Sequence, residues 1–142
     1  MTPLKVVEAF VAAINARDAQ KMAGLMTPDH VFVDADGSEH GGRDQMEPGW
    51  RGYFAMVPDF QIEVTDRFHR KNVVVLLGRA SGTFVQSGKL RPENHWSVPA
   101  AWRVVVESES VAVWQLYATQ HPMYLILERI RSEEAAARTQ QE

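Results

Sequence analysis

The chain has 142 residues, of which 45% are hydrophobic and 23% charged, the balance of one globular domain large enough to bury a core. With 15 basic and 18 acidic residues interspersed, the formal net charge is -3, so there is no basic footprint for DNA or RNA. The absence of cysteine excludes disulfides and thiol chemistry, no apolar run approaches the roughly 20 residues of a membrane span, and MTPLKVVEAF does not read as a signal peptide, so a cytoplasmic protein is expected.

In chain order, Thr2-Pro3 opens a first helix, a hydroxyl N-cap followed by a proline whose missing N–H is not needed there. Val6, Val7, Phe10, Val11 and Ile14 give that helix one buried stripe. Asp18 caps a short second helix with Met22, Leu25 and Met26 inward, and Thr27-Pro28-Asp29 is expected to stop it. HVFVD (30–34) reads as a short strand with His30, Phe32 and Asp34 on one side and Val31 and Val33 on the other, before Asp36-Gly37-Ser38 turns the chain. GRDQMEPGWRGYFAMV predicts a third helix whose apolar face carries Trp50, Tyr53, Phe54 and Val57. Pro48 implies that it either starts near Glu47 or kinks there.

From Phe60 the period becomes two. Phe60, Ile62 and Val64 alternate with Gln61, Glu63 and Thr65, and a turn at Arg70-Lys71 leads into a strand over 72–85 in which Gly78 and Gly82 predict a bulge or strong bend. Residues 86–94 read as the longest loop, followed by a hairpin over 95–119. Its first strand places Trp96, Val98, Ala100, Trp102, Val104 and Val106 on one face and Ser97, Pro99, Ala101, Arg103, Val105 and Glu107 on the other. Neither face is uniformly polar, so helices are expected on one and a partner or the C-terminal segment on the other. A last helix is predicted from about 122 to 138, with Arg129 and Glu133 as an i,i+4 pair.

Three helices followed by a long curved sheet make an α+β domain with the helices on the concave face. The stretches EAFVAAINARDAQKMAGLM, HVFVDADG, GRDQMEPGWRGYFAMVPDFQIEV, ASGTF and PAAWRVVVESESVAVWQLYA resemble the SnoaL-like domains of the nuclear transport factor 2-like superfamily, which also contains ketosteroid isomerase. The resemblance spans about Thr2 to Thr119. It implies a cone-shaped antiparallel or mixed sheet around an apolar pocket, a SnoaL-like domain over 1–121 with a C-terminal helical extension over 122–142, and a homodimer through the sheet.

The same resemblance assigns roles one residue at a time. Asp34 falls where ketosteroid isomerase holds its general-base aspartate, whereas the isomerase's oxyanion tyrosine falls on Phe10, its second oxyanion donor on Ala101, and a supporting tyrosine on Trp50. Loss of one such donor can cost about 10²–10³ in rate, so steroid isomerase chemistry is disfavoured. The Asp–Arg–Asp set of limonene epoxide hydrolases is not matched either, because Leu116 stands in a carboxylate's place and Arg103 has no acid on its strand before Glu107. The aspartate many SnoaL-like chains carry after the last strand is Thr119 here.

Asp34 therefore remains as a candidate base, with His30 on the same strand face and Asp36 and His40 nearby. The expected pocket wall comprises Phe10, Phe32, Trp50, Phe54, Ala101, Arg103, Trp114, Leu116 and Ala118. No His or acid spacing suits a metal, and no cofactor is expected. Two functions follow: a pocket that binds a small apolar molecule without catalysis, or a small isomerase, cyclase or hydrolase using Asp34 on an apolar carbonyl or polyketide-like substrate. An Asp34 open to a cavity favours catalysis, while one bonded to backbone in the next turn favours the binder. With no donor, Asp34→Asn should raise stability, because an ionised group in apolar surroundings is removed; a capping Asp34 predicts a loss.

Overall fold

The computed structural model describes residues 1–141 and runs α1 (Pro3–Asn15), α2 (Ala19–Gly24), β1 (Met26–Val33), β2 (Glu39–Gly41), α3 (Arg43–Met56), β3 (Gln61–Arg70), β4 (Val73–Gln86), β5 (Lys89–Glu107), β6 (Ser110–Ala118) and α4 (His121–Gln141). Both N-terminal caps form where the residues demand them. Thr2 Oγ1 accepts from Lys5 N at 3.2 Å, and Asp18 Oδ1 from Lys21 N at 3.0 Å. α3 begins at Arg43, so Pro48 lies inside the helix and removes one backbone donor from its ladder.

The six strands are ordered β2-β1-β6-β5-β4-β3, antiparallel throughout except for the parallel pair β1 and β6. Three expectations are corrected. Thr27-Pro28-Asp29 does not end a helix but belongs to β1, where the register to β6 shifts between Met26 and Val31 and a proline without N–H is tolerated. His30 thereby becomes a mid-strand residue. The turn at Asp36–Ser38 closes a small hairpin with β2, a strand too short to show periodicity. The expected loop over 86–94 is instead a hairpin, in which Ser87 (φ 52) and Gly88 (φ 73) adopt the left-handed backbone of a two-residue turn.

Gly78 and Gly82 mark the bend, as expected. The β3 register shifts between Val64 and Asp66 opposite Gly78, where a Cβ would stand 1.8 Å from the Glu63 carbonyl oxygen. At Gly82 a Cβ would stand 2.3 Å from Val57 Cγ1, so this glycine lets the end of α3 seat on the sheet.

The alternation in β5 holds from Asn94 to Glu107. Trp96, Val98, Ala100, Trp102, Val104 and Val106 are buried, and Ser97, Pro99, Arg103 and Glu107 are exposed. α1 supplies Val6, Val7, Phe10 and Ile14 to the inner core, and α4 adds Ile130 with Met123, Ile126 and Leu127 packed beside it. The C-terminal helix thus serves the inner side rather than the outer one. On the outer face Phe68, Leu77 and Tyr117 remain exposed at 58%, 39% and 53%. Among the described residues no helix is long and apolar enough to cross a membrane.

Candidate functional site

A cavity of about 330 Å³ opens between α3, the inner face of the sheet and the first turn of α4. Alternation on β5 aims Trp96, Val98 and Trp102 into it, alternation on β6 does the same for Trp114, Leu116 and Ala118, and helical spacing adds Met46, Trp50 and Tyr53 from α3. All four tryptophans of the chain therefore line one cavity. Their rings hold one another at packing distance: Trp102 and Trp114 at 6.2 Å, Trp50 and Phe60 at 6.4 Å, Phe60 and Trp96 at 6.0 Å, and Trp50 and Phe32 edge-on at 5.9 Å.

Among the described residues four polar side chains reach this apolar space: Asp34, His40, Tyr53 and Gln120. Asp34 follows the last residue of β1. Its Oδ1 accepts from Ala35 N at 2.7 Å and from Gln120 Nε2 at 2.9 Å, and Tyr124 Oη in turn donates to Gln120 Oε1 at 3.1 Å. Among the described residues Oδ2 makes no hydrogen bond. The turn that follows is capped by its neighbour instead, since Asp36 Oδ1 accepts from Ser38 N at 2.9 Å. Hydrogen bonding from Ser38, its side chain first and then its backbone N–H, holds the Asp36 carboxyl below its ordinary pKa. Asp34 thus combines the two sequence-based alternatives: it accepts from one backbone N–H and also faces the cavity.

The sequence marks Tyr53 only as a companion on the apolar face of α3, with no local signal for a site residue. Burial first, and then the charge of Asp34, push its phenol above the usual tyrosine range, so it stays a neutral O–H donor. His40 lies with its Nε2 at 3.2 Å from Ser38 Oγ and its ring 6.0 Å from Phe32. Gln120 stands one residue beyond Thr119, the position at which the resemblance suggested looking.

Of the expected site residues, Phe32, Asp34, Trp50, Trp114, Leu116 and Ala118 line the cavity. The others do not. Phe10 is fully buried behind the wall, its ring 5.0 Å from Trp114. Phe54 packs against Trp50 at 5.6 Å outside the lining. Ala101 and Arg103 flank Trp102 and so lie on the outer face. The inner neighbours Ala100 and Trp102 carry no carboxyl either, so no second acid donor stands at this part of β5 whichever residue fills the slot.

His30 is fully buried, and its Nδ1 lies 2.7 Å from the Val111 carbonyl oxygen, which requires the proton on Nδ1. Among the described residues Nε2 has no partner. Burial, outweighing the Val111 bond and the charge of Asp29, lowers the imidazole pKa from its ordinary value. It is a neutral core histidine, 6.2 Å from Phe10, and not part of the cavity lining. Among the described residues no group of three or more His, Asp or Glu is placed to hold a metal ion.

The family model described as "SnoaL-like domain" matches residues 7–119. No curated protein matches the sequence. A solved structure described as a putative SnoaL-like polyketide cyclase from Shewanella denitrificans superposes with a TM-score of 0.76 at 14% identity, covering 89% of this chain and 97% of that one. An epoxide hydrolase of M. tuberculosis described as LEH-like gives a TM-score of 0.73 at 15% identity, over 95% and 96% of the two chains. A hypothetical protein of ketosteroid isomerase-like fold from Catenulispora acidiphila, described in complex with trimethylamine, gives 0.69 at 22% identity, over 82% and 86%.

Proposed function

The chain belongs to the SnoaL-like domain family, and on that footing we propose that it binds a small hydrophobic molecule in the tryptophan-walled cavity. One observation carries the reading: all four tryptophans converge on a space of about 330 Å³ that holds few polar groups. Titration with a panel of apolar ketones, terpenoids and alkylamines, read by tryptophan fluorescence and thermal shift, tests it. A saturable fluorescence change with a rise in Tm supports binding, and Leu116→Arg, which puts a charged chain into the space, should abolish both. A panel without effect on either signal overturns the reading.

A second reading, catalysis, is favoured by a specific feature: Asp34 Oδ2 and the Tyr53 hydroxyl both lack hydrogen-bond partners among the described residues and belong to one cavity. Asp34 would take a proton from carbon beside a carbonyl, Tyr53 would donate to the carbonyl oxygen, and the proton would return from Asp34 to carbon. Solvent deuterium entering an apolar ketone, lost in Asp34→Asn and slowed about 10²-fold in Tyr53→Phe, would support this reading, and exchange unaffected by either change would sink it. The fold neighbours, described variously as cyclase and epoxide hydrolase, do not choose between chemistries.

The proposal includes a homodimer through the outer face of the sheet. Leu77, Ala101 and Tyr117 stand opposite one another across β4, β5 and β6, and with Phe68 they form an apolar surface that a second copy would cover. A 16 kDa species in sedimentation at micromolar concentration would overturn it.

A further inference from the structure

The charge of the ligand is constrained by what the cavity offers it. Among the described residues Asp34 is the one carboxylate lining the space, and no lysine or arginine lines it. The two donors that hold Asp34, a backbone N–H and the Gln120 amide, are neutral, and both act on Oδ1. The carboxylate is thus positioned but not neutralised, with Oδ2 still able to accept.

Its surroundings have the matching sign. The rings of Trp50, Tyr53, Trp96, Trp102 and Trp114 line the same space, and an aromatic face attracts a cation that comes within about 6 Å of its centre. An anionic ligand would meet Asp34 with no lysine or arginine in the lining and His40 as the one basic side chain there among the described residues, and a neutral carbonyl would find one unbonded hydroxyl, that of Tyr53. An ammonium nitrogen sheathed in alkyl groups suits both parts: it is weakly hydrated, its apolar surface fits the aromatic wall, and its charge answers the carboxylate.

Resting on the reading that this cavity binds small hydrophobic molecules, we propose that its ligand is a tertiary or quaternary alkylammonium compound, with the cationic head at Asp34 Oδ2 and the apolar body against the tryptophans. Gln120 acts as a positioning residue, since its amide fixes Oδ1 and leaves Oδ2 to the ligand.

The test is a matched pair of probes of equal shape, choline and its uncharged carbon isostere 3,3-dimethylbutan-1-ol, titrated against the full chain at constant ionic strength and read by tryptophan fluorescence. Choline should bind about tenfold more tightly than the alcohol, and in Asp34→Asn the ratio should fall to about one, as expected where a cation loses its counter-charge in a desolvated site. Equal binding of the two probes, or tighter binding of the alcohol, would overturn the ligand's charge while leaving the apolar cavity as a binding site. If neither probe nor any member of the apolar panel changes the fluorescence, the cavity reading itself fails. The wild-type ratio decides the matter even if Asp34→Asn does not fold.

Discussion

α4 meets the sheet through two polar clusters, and they differ in one respect. Near the β4–β5 hairpin the bonds form a ring: Arg129 donates to Asn94 Oδ1 at 2.6 Å and to Glu133 Oε1 at 3.3 Å, Gln86 donates to Glu133 Oε2 at 2.6 Å, and Asn94 donates to Gln86 Oε1 at 3.1 Å. Asn94 uses its remaining amide contact on the Phe84 carbonyl oxygen at 3.2 Å. At the cavity, Tyr124, Gln120 and Asp34 form an open chain that ends on a carboxylate oxygen and beside the Tyr53 phenol, neither of which has a partner among the described residues. Buried polar groups with every bond made hold a structure together, whereas spare bonding capacity in a cavity is available to something that arrives from solution.

The largest way to break the comparison is Asn94→Leu. It leaves the Gln86 oxygen and the Arg129 guanidinium without their shared partner in a site where Asn94 is fully buried. A loss of about 3 kcal/mol in urea denaturation is expected, with probe affinity at the cavity unchanged in the protein that remains folded. A loss under about 1 kcal/mol would mean that the ring is incidental to stability.

How much of this was legible beforehand depends on the range of the signal. Period-two alternation puts Trp96, Val98 and Trp102 on one face of the strand, and all three line the cavity. The same alternation puts Ala101 and Arg103 outside; naming them as pocket residues followed the resemblance against the pleat. The Gln120–Asp34 bond joins positions 86 residues apart and leaves no local trace. The Ser87-Gly88 turn did leave one, a glycine at a two-residue hairpin position, and the loop expected over 86–94 missed it. Phe10 is a matter of packing depth: helical spacing tells which side is buried, not whether Trp114 stands between the ring and the cavity.

The next test sharpens the contrast between His30 within β1 and Asp34 just after its end, two positions of the same parity with opposite fates. Because the folded His30 pKa lies below its unfolded value of about 6.5, the unfolded chain binds the extra proton between the two. This group's stabilising effect is therefore complete above the unfolded pKa and declines as pH falls towards the folded one. The slope from one proton cannot exceed about 1.4 kcal/mol per pH unit. His30→Gln keeps a donor for the Val111 carbonyl oxygen but does not titrate, so its denaturation profile between pH 7 and pH 5 should be flatter than that of the native chain. Parallel profiles would show that His30 is no drier than the unfolded chain.

The smallest expected effect on stability belongs to Asp34→Asn. An asparagine oxygen in the place of Oδ1 still accepts from Ala35 N and Gln120, so both bonds survive and only their charge assistance is lost. The expected result at pH 7 is a loss of about 1 kcal/mol or less, the difference between charge-assisted and neutral bonds on one acceptor. A gain would mean that the apolar wall disfavours the ionised carboxylate more than its two donors favour it, which is the outcome expected of a residue with no donor at all. The substitution also reverses the pattern of Asn94→Leu: a small loss of stability should accompany a tenfold loss of choline affinity, because the atom that changes most is Oδ2, which no part of the described chain bonds.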